Sequence, residues 1–234
     1  MRNPADAVTP PRVQRHEIQT WNEEDVKQFL IAAKESEYYP IFYLALFTGM
    51  RRSELLALKW SDIDFIYSQI YINRSIHHLR NGQTIFRQTK SAQGNRTIAL
   101  PPSATLVLKE YHEKCQSLRL LNGNPLQEDD LVFCHINSNP LLPDTITHAW
   151  IKLLRRKGLK NIRLHDTRHT HASLMLKQGI HPKVVQERLG HSSIQITLDT
   201  YSHVAPGIQS LAAKKFDELL IDSNQKPYKL GINP

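Results

Sequence analysis

Cysteine and long hydrophobic runs are both scarce in this chain. Cys115 and Cys134 are the only cysteines in 234 residues, so they form no disulfide framework and are typical of a reducing cytoplasm. The longest apolar run, residues 43–50, is interrupted by Gly49 and is far shorter than the roughly 18–20 residues that a membrane span needs. The N-terminal residues contain no apolar segment like that of a secretory signal. We therefore expect a cytoplasmic protein without a membrane segment.

Acidic residues are also too few to balance the basic ones. The chain has 30 lysines and arginines against 22 aspartates and glutamates, a formal net charge of +8 and an isoelectric point near 9.5. An excess of positive charge favours a polyanionic partner such as nucleic acid, although a soluble basic protein without such a partner has the same composition. Hydrophobic residues make up 40% of the chain, which is enough to form a core.

The pattern along the chain predicts one main domain with two appendages. Residues 1–19 contain Pro4, Pro10 and Pro11 and few apolar residues, which is typical of an extended linker, and we expect another segment to precede it. Residues 20–220 form the expected catalytic domain, and residues 221–234 a flexible tail.

Apolar periodicity within that domain predicts a mainly helical α+β fold with a small three-stranded antiparallel sheet. Thr20 and Glu23 fit a capping box that begins the first helix, and Asn81-Gly82 is a strong hairpin signal. The predicted strands are 68–76, 83–90 and 95–100, with a further short strand possible at 131–135. The predicted helices follow the first one at 40–47, 51–60, 103–119, 143–157, 165–178, 182–189, 193–201 and 207–220.

The stretch IRLHDTRHTHASLML, residues 162–176, contains the clearest chemical motif. His165 and His169 are four residues apart and Asp166 follows the first, which is close to the spacing of a zinc hydrolase. Asp166 is one carbon shorter than the usual base, and the permanent charge of Arg168 would oppose a metal ion. His165 and Arg168 share one helical face, so the stretch favours an anionic target, or else carries histidines that simply lie on a helix surface.

Two other stretches contain residues that suit the same chemistry. In LFTGMRRSELLALKW, Arg51 follows the end of an apolar helix, and Glu54 lies three residues later, where it can orient the guanidinium. In VVQERLGHSSIQITLDTYSH, His191 lies at a helix junction and Tyr201 continues the predicted inward face of Ile194, Thr197 and Leu198. Taken alone, Arg51 would be a solvated charge and Tyr201 a core tyrosine.

Read together, TGMRRSEL, LHDTRHTHAS and LGHSSIQITLDTYSH closely resemble the tyrosine recombinases, and in particular the integrases of phages and integrative elements. The resemblance extends from about Thr20 to beyond Tyr201 and keeps the order and spacing of the family. It implies two phosphate-binding arginines, two histidines, a tyrosine nucleophile and a hairpin lysine. These are Arg51 and Arg168, His165 and His191, Tyr201, and Lys90, for which Arg96 is the local alternative.

The resemblance implies a site-specific DNA recombinase that integrates or excises a mobile element. The tyrosine would attack a DNA phosphodiester, form a 3′-phosphotyrosyl intermediate and rejoin the strand without a nucleotide cofactor or a metal ion. The implied partners are double-stranded attachment sites, a directionality factor or excisionase, and further copies of the chain in a tetramer. The amphipathic segment 207–220 would dock on a neighbouring protomer, although its apolar face also suits packing on its own domain.

Two other functions fit the same residues. Relatives of this kind carry a core-binding domain before the linker, and without it the chain would be a DNA-binding remnant with weak, salt-sensitive binding and poor recombination. Relaxation of supercoiled DNA by a type IB topoisomerase-like enzyme would use the same chemistry.

Overall fold

The structure is a computed structural model and describes residues 19–79, 81–88, 94–201 and 208–220. The helices are α1 Glu23–Ala33, α2 Tyr39–Thr48, α3 Arg52–Leu55, α4 Pro102–Leu121, α5 Pro143–Lys157, α6 Asp166–Lys177, α7 Pro182–Leu189, α8 Ile194–Tyr201 and α9 Ile208–Leu220. The strands are β1 Ile63–Asp64, β2 Gln69–Ile72, β3 Arg74–His78, β4 Thr84–Gln88 and β5 Arg96–Ala99, and a short 3₁₀ helix covers Trp60–Asp62. Within these residues, no helix is long and apolar enough to cross a membrane.

Local signals predicted most of the helices. The expected helix 51–60 is wrong beyond Leu55, because Lys59 pairs with Leu131 in an isolated bridge and the Trp60 amide donates to the Asp130 carbonyl. The expected helices 143–157 and 182–189 coincide with α5 and α7, and proline occupies the first helical position of each. The predicted capping box is wrong by two residues at its start. The Asn22 side chain accepts from the Asp25 amide at 2.8 Å, and the Asp25 carboxylate accepts from the Asn22 amide at 3.0 Å. Thr20 and Glu23 do not form the box, because Glu23 is already the first helical residue.

The sheet region differs from the prediction in its pairing. The predicted strand 68–76 divides at Asn73, so that β2 pairs with β1 and β5 in a three-stranded antiparallel sheet. β3 pairs with β4 in a separate hairpin. The division occurs where the buried Asp62 carboxylate accepts from the side-chain Nδ2 of Asn73 and forms an ion pair with Arg74. Residues 131–135 form only isolated bridges at Leu131 and Cys134, not a strand.

An aromatic cluster holds the helical part together. Trp150 on α5 contacts Phe29 of α1 and Phe42 of α2, with ring centroids 4.5 Å and 5.3 Å apart. Trp21 stacks on Trp150 at 5.3 Å, and its amide donates to Thr170 Oγ1 at 3.2 Å. These contacts place α6, which contains the HDTRH motif, against the core formed by α1, α2 and α5.

Candidate active site

Arg168 lies where three elements meet. Its side chain is buried on α6, and its Nη1 donates to the Gly49 carbonyl at the end of α2 at 2.9 Å. Its Nη2 donates to the Leu189 carbonyl at the end of α7 at 2.6 Å. The two carbonyls hold the plane of the guanidinium, so the orientation of Arg168 depends on how α2 and α7 are packed.

Gly49 allows this close arrangement. Its φ of +65° is in the left-handed region that favours glycine. A Cβ at this position would lie 2.6 Å from Leu189 Cδ2 and 2.9 Å from His171 Cδ2, inside the contact distance of both. The glycine therefore lets α7 and α6 approach the end of α2 closely enough for Arg168 to reach both carbonyls.

Arg51 lies two residues after Gly49 and immediately precedes α3, as its N-cap. Its amide donates to Glu54 Oε2 at 2.8 Å, and its Nη1 donates to Glu54 Oε1 at 2.9 Å. The predicted contact between Arg51 and Glu54 is therefore confirmed. The side chain of Arg51 is 41% exposed, whereas that of Glu54 is 3% exposed. A buried carboxylate thus holds an arginine that remains accessible from outside.

Glu54 also binds a second cation, Arg96 on β5. Arg96 Nη1 donates to Glu54 Oε1 at 3.0 Å and Nη2 to Oε2 at 2.7 Å. Burial raises the pKa of the Glu54 carboxyl, but the hydrogen bonds and charge of Arg96, helped by Arg51, outweigh burial and bring the pKa to about 2. Arg96 Nε donates to the Arg188 carbonyl at 2.7 Å, so all three guanidinium nitrogens of Arg96 bind protein acceptors.

His165 and His169 lie next to Arg168. Their rings meet edge to face with centroids 5.4 Å apart. Burial, followed by the charge of Arg168, lowers the pKa of His165. Burial, followed by the neighbouring His165, lowers the pKa of His169 to about 4. A neutral imidazole at pH 7 can accept a proton, and the surrounding arginines favour that neutral state.

His191 follows α7 immediately after Gly190. Its Nδ1 is 2.9 Å from Thr197 Oγ1 on α8, and Gln186 Nε2 donates to its carbonyl at 2.7 Å. Burial, together with the charges of Arg168 and Arg51, lowers the pKa of the His191 imidazole to about 4. His191 is therefore held by groups from both α7 and α8 and is neutral at pH 7.

Asp166, the acidic residue of the zinc-like spacing, is bound by Arg163. Arg163 donates from Nε and Nη2 to its carboxylate, at 3.0 Å and 2.8 Å, and the Arg163 amide donates to it at 2.9 Å. In the part of the chain that the structure describes, no three histidine, cysteine, aspartate or glutamate side chains are close enough to hold a metal ion.

The structure thus brings four of the six predicted site residues together. The charges of Arg51 and Arg168 both lower the pKa of His165 and that of His191. These four residues are Arg51, His165, Arg168 and His191. Lys90 lies outside the described residues. Tyr201 is the last residue of α8, and its side chain is also outside the described part.

The predicted inward face of α8 is partly wrong. Thr197 is completely buried and contacts His191, but Leu198 is exposed. The buried side of the helix is therefore narrower than the apolar pattern indicated, and a polar contact occupies its centre.

Sequence reasoning missed the polar layer behind the site. His171 is buried, its Nδ1 donates to the Leu46 carbonyl at 2.9 Å, and its Nε2 accepts from Arg188 Nε at 3.4 Å. Both interactions join residues that are far apart in sequence, so no local signal indicates them. Burial lowers the pKa of His171 to about 4, which keeps it neutral as this hydrogen-bond pattern requires.

Comparison with known proteins adds an independent line of evidence. A family model described as the phage integrase family matches residues 19–207. A XerC-like tyrosine recombinase of Caldanaerobacter subterraneus is 32% identical over 224 residues, which cover 91% of this chain and 57% of that protein. The ICEBs1 integrase of Bacillus subtilis is 31% identical over 221 residues, which cover 94% of this chain and 60% of that protein. The chain thus spans about three fifths of the length of these relatives.

Solved structures show the same fold. The Tn1549 transposon integrase, solved in complex with a circular intermediate DNA, has a TM-score of 0.73 at 18% identity and covers 92% of this chain and 70% of that one. The XerA recombinase has a TM-score of 0.66 at 22% identity and covers 87% of this chain and 66% of that one. The predicted fold class, a mainly helical α+β domain of the tyrosine recombinase type, is confirmed.

Proposed function

Since the chain belongs to the phage integrase family, we propose that it contains the catalytic domain of a site-specific DNA recombinase and that residues 20–220 form this domain. The observation that supports this most strongly is the convergence of Arg51 and Arg168 from separate segments beside neutral histidines. The substrate is a DNA attachment site, and the product is a strand rejoined to a new partner during integration or excision of a mobile element.

In this proposal, the two arginines bind the scissile phosphate. Its non-bridging oxygens gain negative charge in the transition state, and guanidinium groups can donate charge-assisted, paired hydrogen bonds to them. Glu54 holds Arg51, and the carbonyls of Gly49 and Leu189 hold Arg168, so both donors are oriented before DNA arrives. Such preorganised donors are usually the largest contribution to catalysis.

The remaining residues transfer protons around the attack by Tyr201. A free phenol has a pKa near 10 and is protonated at pH 7, so a neutral histidine, either His165 or His191, accepts its proton. A new bond forms between the phenolic oxygen and phosphorus while the bond to the 5′-oxygen breaks. Lys90 gives a proton to the leaving 5′-oxygen. Because all three guanidinium nitrogens of Arg96 bind protein groups, Lys90 suits this role better than Arg96.

A covalent-trapping experiment tests this function directly. The chain is incubated with a labelled half-site of its attachment DNA in which a nick lets the cleaved fragment diffuse away. We expect a denaturant-resistant protein–DNA adduct. After trypsin digestion, the modified peptide should be residues 189–214, in which Tyr201 is the only tyrosine. Absence of any adduct, or a DNA link on another peptide, would contradict the proposal. Relaxation of supercoiled plasmid without sequence preference would favour the topoisomerase alternative.

The proposal includes assembly of a tetramer through α9. Three apolar side chains of this helix are exposed in the single chain, with Phe216, Leu219 and Leu220 accessible to 64%, 78% and 66%. They do not pack against the described part of their own domain, so a neighbouring protomer is the partner that would cover them. A directionality factor would act on the assembled complex.

Replacing Phe216 and Leu219 together with serine should therefore reduce cooperative assembly on DNA with paired sites. The change leaves binding to a single half-site intact, because it removes only apolar area between protomers. Band-shift titrations with one and two half-sites measure the difference. Glu218→Ser, an exposed polar change on the same helix, is the matched control. Unchanged cooperativity in the double variant would show that α9 is not the contact.

A further inference from the structure

The carbonyl groups at the carboxyl end of α7 take their hydrogen bonds from outside the helix. The last four carbonyls of a helix have no partner within it and need other donors. Two of these four are satisfied by the turn at Gly190, which has a left-handed backbone. The Glu187 carbonyl accepts from the Gly190 amide, and the Gln186 carbonyl accepts from the His191 amide, both at 3.1 Å. This turn leads the chain directly from the helix to His191.

The other two carbonyls accept from arginine side chains. The Arg188 carbonyl accepts from Arg96 Nε at 2.7 Å, and the next carbonyl, that of Leu189, accepts from Arg168 Nη2 at 2.6 Å. The end of α7 is thus satisfied by one cation from β5 and one from α6. The negative end of the helix dipole strengthens both hydrogen bonds.

Arg96 connects this helix end to the other arginine of the site. Its Nη1 and Nη2 bind the two carboxylate oxygens of Glu54, and the same carboxylate holds both the amide and the Nη1 of Arg51. Arg96 is 6% exposed and Glu54 3% exposed, so solvent does not compete for these bonds. A single buried guanidinium therefore links the support of Arg51 to the support of Arg168.

The Arg188 side chain fixes the far side of the same helix end. Its Nη1 donates to the Ala99 carbonyl of β5 at 3.0 Å, its Nη2 to the Phe47 carbonyl of α2 at 3.2 Å, and its Nε to His171 at 3.4 Å. With its side chain tied to three elements, the Arg188 carbonyl cannot shift to follow a displaced Arg96. The position of Glu54 relative to the carboxyl end of α7 thus depends on the Arg96 side chain.

We propose that Arg96 is a positioning residue that sets both phosphate-binding arginines at once, Arg51 through Glu54 and Arg168 through the carboxyl end of α7. The assignment of a phosphate as the target rests on the function proposed above. Arg96 does not touch the phosphate in this scheme. It aligns the two donors with each other, so that both point at one phosphate before the DNA is bound.

Lysine cannot replace Arg96 in this role. A guanidinium presents its N–H groups along several edges of a rigid plane, and Arg96 uses one edge for Glu54 and Nε for the Arg188 carbonyl. An ammonium group carries all its donors on a single nitrogen. Lysine at this position keeps the positive charge beside Glu54. It loses either the paired hydrogen bonds to the Glu54 carboxylate or the hydrogen bond to the Arg188 carbonyl at the end of α7.

The test compares Arg96→Lys with Arg119→Lys. Arg119 is the matched control because its side chain is also 6% exposed and forms an ion pair with Asp130 at 2.7 Å, while its hydrogen bonds reach no residue of the site. At saturating half-site DNA, we expect the rate of adduct formation to fall about 10- to 100-fold in Arg96→Lys, the size typical of partners that orient a functional group. Arg119→Lys should retain the wild-type rate, and DNA affinity should be similar in all three proteins.

Amide hydrogen exchange provides a readout that does not need activity. The Arg51 amide is bonded to Glu54, and the amides of Gly190 and His191 close the end of α7, so all three should exchange faster in Arg96→Lys. They should not change in Arg119→Lys. Thermal melting shows whether each variant is folded, and Arg96→Gln, which retains a donor without the charge, is the second variant if the lysine protein is unfolded.

The outcomes separate the two proposals. If the wild-type chain forms no adduct, the proposed function fails, and hydrogen exchange still decides whether Arg96 positions Arg51 and the end of α7. If the wild type forms the adduct and Arg96→Lys matches Arg119→Lys in both rate and exchange, the positioning role is wrong and the proposed function stands.

Discussion

Replacing Tyr201 with phenylalanine should abolish the covalent protein–DNA adduct completely. The substitution removes one oxygen atom, the one proposed to attack phosphorus, and leaves the aromatic ring in place. No other group in the proposed mechanism can form the same phosphoester bond, so we expect no residual rate from the site. Denaturing gel electrophoresis of the labelled half-site measures the loss, and a band shift under native conditions should show that DNA binding is retained.

Tyr67→Phe is the matched control for this result. Tyr67 follows β1 and is 73% exposed, so its hydroxyl is accessible but belongs to no part of the proposed site. The control should form the adduct at the wild-type rate. An adduct that persists in Tyr201→Phe would identify a different nucleophile and remove the central residue of the proposal.

Arg168→Lys should also cause a large loss of adduct formation. The lysine keeps a positive charge but not the planar group that spans the carbonyls of Gly49 and Leu189. We expect adduct formation at saturating DNA to fall by on the order of 10²–10³, as for the loss of one preorganised donor in other enzymes. At least one of the two carbonyls also loses its charged donor, at a cost of about 1–3 kcal/mol in the free energy of unfolding.

Two measurements separate these effects. The free energy of unfolding, from denaturant titration, reports the structural cost, and the cleavage rate measured well below the unfolding transition reports the catalytic one. Arg168→Lys should lose rate even under conditions in which it is fully folded. A variant that is folded and cleaves at the wild-type rate would show that Arg168 is only a structural link between α2, α6 and α7.

The lowered pKa values of the histidines add proton transfer to the charge of the arginines in the proposed mechanism. Burial and the charges of Arg168 and Arg51 lower the pKa of His191 to about 4, so this residue adds no positive charge to the site at pH 7. A bound phosphate would offset the arginine charges and raise that pKa, which makes the histidine a better proton acceptor when the substrate is present. In the proposed mechanism, the arginines would thus bind the phosphate and also set when a proton can move.

Local rules were sufficient for most of the helices and for the motifs, although the helix predicted over residues 51–60 ends at Leu55. Proline at the start and glycine at the end defined α2 and α5, because caps depend on residues within one turn. The contact between Arg51 and Glu54 was predictable for the same reason, since three residues of helical spacing bring the two side chains together. The strand over residues 68–76 was predicted as continuous, because its division at Asn73 depends on Asp62, a partner from another element.

Short-range patterns in the amino-acid order specify the residue types, their spacing and the local elements that present them. The long-range contacts depend on the packing of distant elements: Arg96 holds Glu54 across 42 residues and the Arg188 carbonyl across 92, and Arg168 reaches Gly49 across 119. The reason is the range of the forces involved: capping and periodicity act within a few residues, whereas a buried cation takes whichever carbonyl or carboxylate the packing of distant elements places beside it.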